Sequence, residues 1–217
     1  ACSVNPKIGL SSTVAAIEPP ARSKTVAVIG GGPAGMKAAI TAAERGHKVT
    51  LYEKSDSLGG LLRHADYSSY KWPYKKYKDY LIRQVEKKGV KVLLKTEATP
   101  EMVKAKGYEV VLAAIGADVI VPRIPGWDGK NVYDLMAVYG REKELGKNVV
   151  IIGGGEFGVG TGIYLAAAGH RTTMLTSEKE LLRVERVHYP EYIVDVYEHL
   201  DNFYYILEAI PKGISDG

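Results

Sequence analysis

Gly30, Gly32 and Gly35 stand in G-x-G-x-x-G spacing directly after the short β-branched run Val26, Ala27, Val28 and Ile29. Glu53 closes a second such run about twenty residues further on. None of these residues is a nucleophile, so the chemistry they can do is recognition. A glycine turn between a strand and a helix brings backbone N–H groups and the positive end of a helix dipole up to a pyrophosphate. Gly30 suits the tight turn, Gly32 the close approach of phosphate to backbone, and Gly35 the packing of helix on strand. The carboxylate of Glu53 can accept hydrogen bonds from both ribose hydroxyls of an adenosine. It disfavours a phosphate on that ribose, which favours FAD or NAD over NADP at this site.

The same pattern returns further along. After Val149, Val150, Ile151 and Ile152, the glycines Gly153, Gly155 and Gly158 repeat the spacing, and Gly169-His170 echoes Gly46-His47. An internal repeat of this kind makes accidental glycine spacing hard to sustain. The two copies differ at the ribose position, where Thr176 and Ser177 replace the acid. Hydroxyls with Lys179 nearby accommodate a 2′-phosphate, which favours NADPH at the second site.

The elements that must position these residues follow from periodicity. Strands are expected at 26–29, 48–52, 90–94 and 110–116, the last one buried, with helices at 33–45 and, opened by Thr99 as a cap, at 100–106. The stretch from Tyr67 to Tyr80 interleaves tyrosine with lysine. Stacking on single-stranded nucleic acid is the weaker reading of it. Trp72, Tyr77, Tyr80, Leu81 and Val85 fall near helical spacing, so an amphipathic helix with those residues inward and the lysines solvated is expected. A second glycine turn, Ser55 to Arg63 with Gly59-Gly60, is placed to close over the first site. In the second copy a helix at 190–200 and a strand at 203–207 complete the alternation, which implies doubly wound parallel sheets. The organisation expected is a lead-in arm at 1–23, a first domain at 24–125, a crossover marked by Pro122, Pro125, Gly126 and Gly129 and spanning 126–146, and a second domain at 147–217.

Composition narrows the classes. The chain has 217 residues, a net charge of +4 with both signs mixed throughout, and one cysteine, Cys2. Neither nucleic acid nor an anionic membrane is called for, and no apolar run approaches the roughly twenty residues of a membrane span. A lone cysteine excludes an internal disulfide framework and fits a reducing cytoplasm. The chain lacks an initiator Met and reads as a fragment of a longer protein.

With both repeats in hand, the sequence resembles the carboxyl-terminal flavin and nicotinamide domains of the 2,4-dienoyl-CoA reductase and trimethylamine dehydrogenase family, among the NADH:flavin oxidoreductases. The residues that carry the resemblance are Cys2-Ser3-Val4-Asn5-Pro6, both glycine units, Glu53-Lys54, the GGLLR turn from Gly59, Ala114-Ile115-Gly116 and Ile124-Pro125-Gly126. The small subunit of glutamate synthase is similar over the same domains. The implied fold is tandem Rossmann-like, α/β domains of the pyridine nucleotide-disulfide oxidoreductase type, incomplete at the carboxyl end. The implied FAD contacts are Gly30, Gly32, Pro33, Ala34, Gly35, Glu53, Lys54, Gly60, Leu61, Arg63, Ala114 and Gly116. For NAD(P)H they are Gly153, Gly155, Glu156, Phe157, Gly158, Thr176 and Ser177. Cys2 matches the last ligand of the family's four-iron four-sulfur cluster, and an FMN-bearing barrel lies ahead of it in family members. The implied activity is electron transfer from NAD(P)H through FAD toward that cluster and barrel. A nucleotide-binding scaffold without hydride transfer, or a glutamate-synthase-like reductase, is the alternative. Disulfide reductases place paired cysteines just after the paired glycines; Leu61 to Ala65 contains none. His64 there is read as a surface or satisfied histidine.

Overall fold

The computed structural model describes residues 19–182 and 190–215. The chain divides into two compact units, 1–117 and 118–217, each built on its own sheet.

The first unit is a four-stranded parallel sheet in the order β3-β2-β1-β4, from β1 (Thr25–Ile29), β2 (Lys48–Tyr52), β3 (Lys91–Leu93) and β4 (Val110–Ala113). The strands arise where the sequence predicts them because β-branched, aliphatic and aromatic residues fill most of each run and pack well on a pleated surface. One face is covered by α1 (Pro33–Glu44) and α2 (Trp72–Lys87), where Met36, Ala39, Ile40, Leu81 and Val85 pack on Val26, Val28, Val49 and Leu51. On the other face α3 (Pro100–Ala105) brings Val103 onto Ala27 and Tyr52. Thr99 caps α3 as expected, its side chain accepting from the Met102 N–H. Tyr52 and Tyr108 meet hydroxyl to hydroxyl at 2.7 Å, and burial followed by this contact pushes the Tyr52 phenol up to about 12.

Three expectations need correction. Trp72 and Tyr80 are exposed rather than inward, because the buried stripe of α2 runs through Lys78, Leu81 and Val85. Lys78 is therefore not on a solvated face. It is 6% exposed, and its ammonium is charge-paired with Asp66, which Lys75 also holds at 3.1 Å. Although burial acts to raise it, those lysines hold the Asp66 carboxyl below its ordinary range. Among the described residues β4 is the edge of the sheet and pairs only with β1, and Val111 and Leu112 are exposed where a buried strand was expected.

The second unit holds β5 (Asn148–Ile152), β6 (Arg171–Leu175) and β7 (Phe203–Ile206), parallel in the order β5-β6-β7, with α4 (Glu156–Ala167) and α5 (Pro190–Glu198). Residues Gly158 to Ala166 of α4 are all buried. A helix apolar on every side needs cover on every side. The sheet supplies Ile151, Met174 and Phe203, which surround Gly162. Residues ahead of β5 supply the rest: Tyr139 stacks on Tyr164 with ring centroids 4.8 Å apart, and its hydroxyl meets Thr161 at 3.1 Å. Tyr164 accepts from the Gly140 N–H and donates to Glu142; burial, then Glu142, takes its phenol up to about 12. Both α1 and α4 end in a left-handed glycine, Gly46 or Gly169, after which His47 and His170 donate backward to the carbonyls of Ala42 and Leu165.

The orientation of α2 makes a direct prediction. Leu81→Ala should destabilise the first unit by about 3 kcal/mol through a core cavity, whereas Trp72→Ala on the same helix should cost less than about 0.5 kcal/mol. Urea unfolding of the two variants checks it.

Candidate dinucleotide-binding sites

The first glycine turn is shaped by contacts in which side chains have no room. At Gly30, left-handed with φ 105°, a Cβ would fall 2.3 Å from the carbonyl oxygen of Ala114; at Gly35 it would fall 1.8 Å from that of Gly30. The start of α1 is thereby pressed onto the turn. Gly158 repeats this in the second unit, 2.0 Å from the Gly153 carbonyl oxygen.

Gly32 and Gly155 are different. Each is the residue that opens its helix, with φ −72° and ψ 180° at Gly32 and φ −76° and ψ 179° at Gly155, an extended backbone open to any residue. A Cβ on Gly32 would find nothing closer than 3.9 Å, and one on Gly155 nothing within 4 Å. Neither the backbone nor the packing of this chain demands glycine at these two positions. The space kept clear lies at a helix amino terminus that no side chain caps in either unit. In α1 the first turn also carries no acid, and Pro33 occupies its first position; in α4 that position holds Glu156, exposed beside the exposed Phe157.

Glu53 lies under the first turn and is 8% exposed. Its Oε2 accepts from the Gly31 N–H at 2.7 Å, and its Oε1 accepts from both the N–H and the hydroxyl of Ser55 at 2.8 Å. Burial would raise its pKa, yet these bonds and the nearby Arg63 guanidinium outweigh it and hold the carboxyl below its ordinary value. The second glycine turn docks on the first: the Gly59 N–H donates to the Gly31 carbonyl at 2.9 Å, and a Cβ on Gly60 would meet the Gly32 Cα at 2.9 Å. Arg63 reaches the Gly60 carbonyl and the Ser57 hydroxyl. Gly30, Gly32, Pro33, Ala34, Gly35, Glu53, Gly60 and Arg63 thus gather at the carboxyl edge of the sheet. Lys54 and Leu61 are exposed beside them, and Ala114, whose N–H donates to the Ile29 carbonyl, and Gly116 follow β4 at the same edge.

Gly31, Ser55 and Leu58 were not singled out by spacing. A Cβ on Gly31 would lie 2.5 Å from Leu58 and 2.8 Å from Glu53 Oε2, so the middle glycine of the G-G-G run is the signal that was available. In the second unit Thr176 takes the place of Glu53 beneath Gly154, 5% exposed, its hydroxyl accepting from the Glu178 N–H at 3.2 Å. Ser177 and Lys179 are exposed, as are Glu178 and Glu180 on either side of that lysine. The paired glycines have no counterpart there. Leu182, left-handed at φ 58°, donates instead to the Gly154 carbonyl at 2.8 Å. Cys2 lies outside the described residues, and among the described residues no group of His, Cys, Asp or Glu could hold a metal ion. No helix among them is long and apolar enough to cross a membrane.

Comparison with known proteins agrees with this geometry. The chain is 39% identical over 178 residues to an NADH oxidase of Thermoanaerobacter brockii, covering 80% of this chain and 27% of the relative. It is 34% identical over 183 residues to a cinnamate reductase of Clostridium sporogenes, covering 84% of this chain and 27% of that protein. A solved 2-naphthoyl-CoA reductase in complex with 2-naphthoyl-CoA superposes with a TM-score of 0.92 at 34% identity, covering all of this chain and 33% of the larger one. The chain therefore spans about a third or less of the length of these three proteins. The model of the pyridine nucleotide-disulphide oxidoreductase domain matches residues 24–199. That domain binds FAD and NAD(P), and the two glycine turns with their uncapped helices fit both groups. The chain belongs to the pyridine nucleotide-disulphide oxidoreductase family, although the cysteine pair of its disulfide reductases is absent from this sequence.

Proposed function

We propose that the chain is the NAD(P)H-to-FAD electron-transfer module of a larger flavoprotein oxidoreductase, with FAD in the first unit and NAD(P)H in the second. The observation that carries this reading is the pair Gly32 and Gly155. Each lacks a side chain that the protein itself would tolerate, and each stands at the uncapped amino end of a helix, where a pyrophosphate fits. Bound nicotinamide supplies a hydride that bound flavin accepts. The chain's own residues bind and orient: the first turn of α1 faces the pyrophosphate, Glu53 takes the ribose, and Arg63 places positive charge beside Gly60. No protein nucleophile is required, in keeping with a site of glycines and one acid.

In this reading the electrons pass on to an iron–sulfur centre, with Cys2 as one ligand through the resemblance carried by Cys2-Ser3-Val4-Asn5-Pro6, and to an FMN barrel of the parent protein, which the likeness to 2-naphthoyl-CoA reductase suggests. A cytoplasmic location goes with this reading. The alternative, a nucleotide-binding scaffold without hydride transfer, draws on the second unit, where Thr176 replaces the acid and Glu156 stands in the first turn of α4. Anaerobic addition of NADH and NADPH to FAD-loaded chain separates the two: the module bleaches the flavin absorbance, and an unchanged spectrum establishes the scaffold.

Gly32→Val should leave the thermal midpoint close to that of the native chain, because a Cβ there finds nothing nearer than the Gly60 Cα at 3.9 Å. It should weaken FAD binding more than about a hundredfold, the equivalent of ~3 kcal/mol. Calorimetry checks this, and unchanged affinity would remove FAD from the first turn. Thr176→Glu should shift preference toward NADH, since a carboxylate under Gly154 would repeat the Glu53 arrangement and repel a 2′-phosphate. The measured quantity is the NADPH to NADH affinity ratio, and an unchanged ratio contradicts the assignment.

A further inference from the structure

A carboxylate offers two oxygens and about four acceptor positions. In Glu53 three are filled by this chain itself: Gly31 N–H on Oε2, and the N–H and hydroxyl of Ser55 on Oε1. One position remains, while an adenosine ribose brings two hydroxyls.

The three donors are not equally fixed. Gly31 is tied by its own carbonyl to the Gly59 N–H. The Ser55 backbone is tied by the Lys95 N–H, which donates to the Ser55 carbonyl at 2.7 Å, while the Thr96 N–H donates to the Glu53 carbonyl at 2.9 Å. Lys95 makes its bond from a left-handed conformation, φ 49°, uncommon for a residue other than glycine. The backbone of 53–55 is thus clamped from the end of β3. The Ser55 hydroxyl alone is free to rotate. It has one proton and two acceptors in reach, Glu53 Oε1 at 2.8 Å and the Ser57 carbonyl at 2.9 Å.

We propose that the Ser55 hydroxyl is a placeholder for a ribose hydroxyl: it donates to Glu53 in the free chain and turns to the Ser57 carbonyl when an adenosine ribose arrives, releasing Oε1 to the sugar. A buried carboxylate short of a donor is costly, so the free chain gains from the placeholder. The ligand then replaces what it displaces. A Ser55 bond that the ribose must displace works against binding, while without ligand it keeps the carboxylate paired. This deepens the dinucleotide reading of the first unit and rests on it.

The test is Ser55→Ala, with Ser55→Thr as the variant that keeps the hydroxyl and a thermal midpoint to confirm the fold. At pH 8 the alanine variant should bind FAD as tightly as the native chain or up to about tenfold more tightly, the worth of one hydrogen bond; the threonine variant should match the native chain. Carbon-13 titration of the Glu53 carboxyl in the ligand-free chain gives the second readout. Ser55, Gly31 and the charged Arg63 keep its native midpoint low. Losing one donor raises that midpoint, so the charged form is lost at a higher pH as the solution is acidified. An alanine variant that binds FAD more than about threefold more weakly at pH 8, where a retained orienting bond would show, overturns the placeholder alone. So does an unmoved Glu53 midpoint. A native chain that takes up no FAD overturns the dinucleotide reading and the placeholder together.

Discussion

The contact on which the rest depends is backbone on backbone: the first turn of each helix lies against the carbonyl that opens its glycine turn, Gly35 on Gly30 and Gly158 on Gly153. Any side chain at Gly35 or Gly158 would drive helix and strand apart. Held this close, α1 and α4 begin at the carboxyl edge of their sheets with their amino ends unobstructed. Everything the sites can do follows from that placement, since the helix end is what offers N–H groups to phosphate. Gly30 and Gly35 serve the fold, whereas nothing in the fold requires a bare backbone at Gly32 or Gly155, although all four belong to the same kind of spacing pattern.

The two units use the same frame for different ribose positions. Beneath Gly31 the first unit places an ionised acid with three donors around it; beneath Gly154 the second places a small hydroxyl that caps the Glu178 N–H. The covering loops differ in the same way. Paired glycines let the first loop approach the turn backbone to backbone, while the second relies on Leu182 in a conformation that bulky side chains rarely adopt. Conformational cost is thus carried by glycine in one copy and by strain in the other.

Most of the strand positions and both glycine turns were legible in the sequence because period, spacing and apolar runs are local signals. The strands β1 and β2, the cap at Thr99 and the repeat at Gly153 all belong to that class. What was not legible depends on partners distant in sequence. Nothing in the text near Lys78 announces that Asp66 will neutralise it, so helical spacing alone assigned it to solvent. Trp72 and Tyr80 looked inward by their near-helical spacing, but the buried stripe runs through Lys78, Leu81 and Val85. β4 reads as buried because it is uniformly apolar; among the described residues it is the edge of its sheet. At the site, Ser55 and Gly31 escaped because their contacts are with Glu53, and the glycine spacing does not announce them.

The buried helix α4 also bears on how the chain comes to be folded. Gly158, Gly160 and Gly162 let it fit between two layers, and each lowers intrinsic helix stability by about 1 kcal/mol relative to alanine. α1, with alanine at five of its twelve positions, has local preference on its side. Local preference therefore supports the first helix, whereas α4 depends on the sheet and on Tyr139 ahead of β5 to surround it. Two copies of one motif thus hold the same shape from different sources, intrinsic helix preference in one and surrounding contacts in the other.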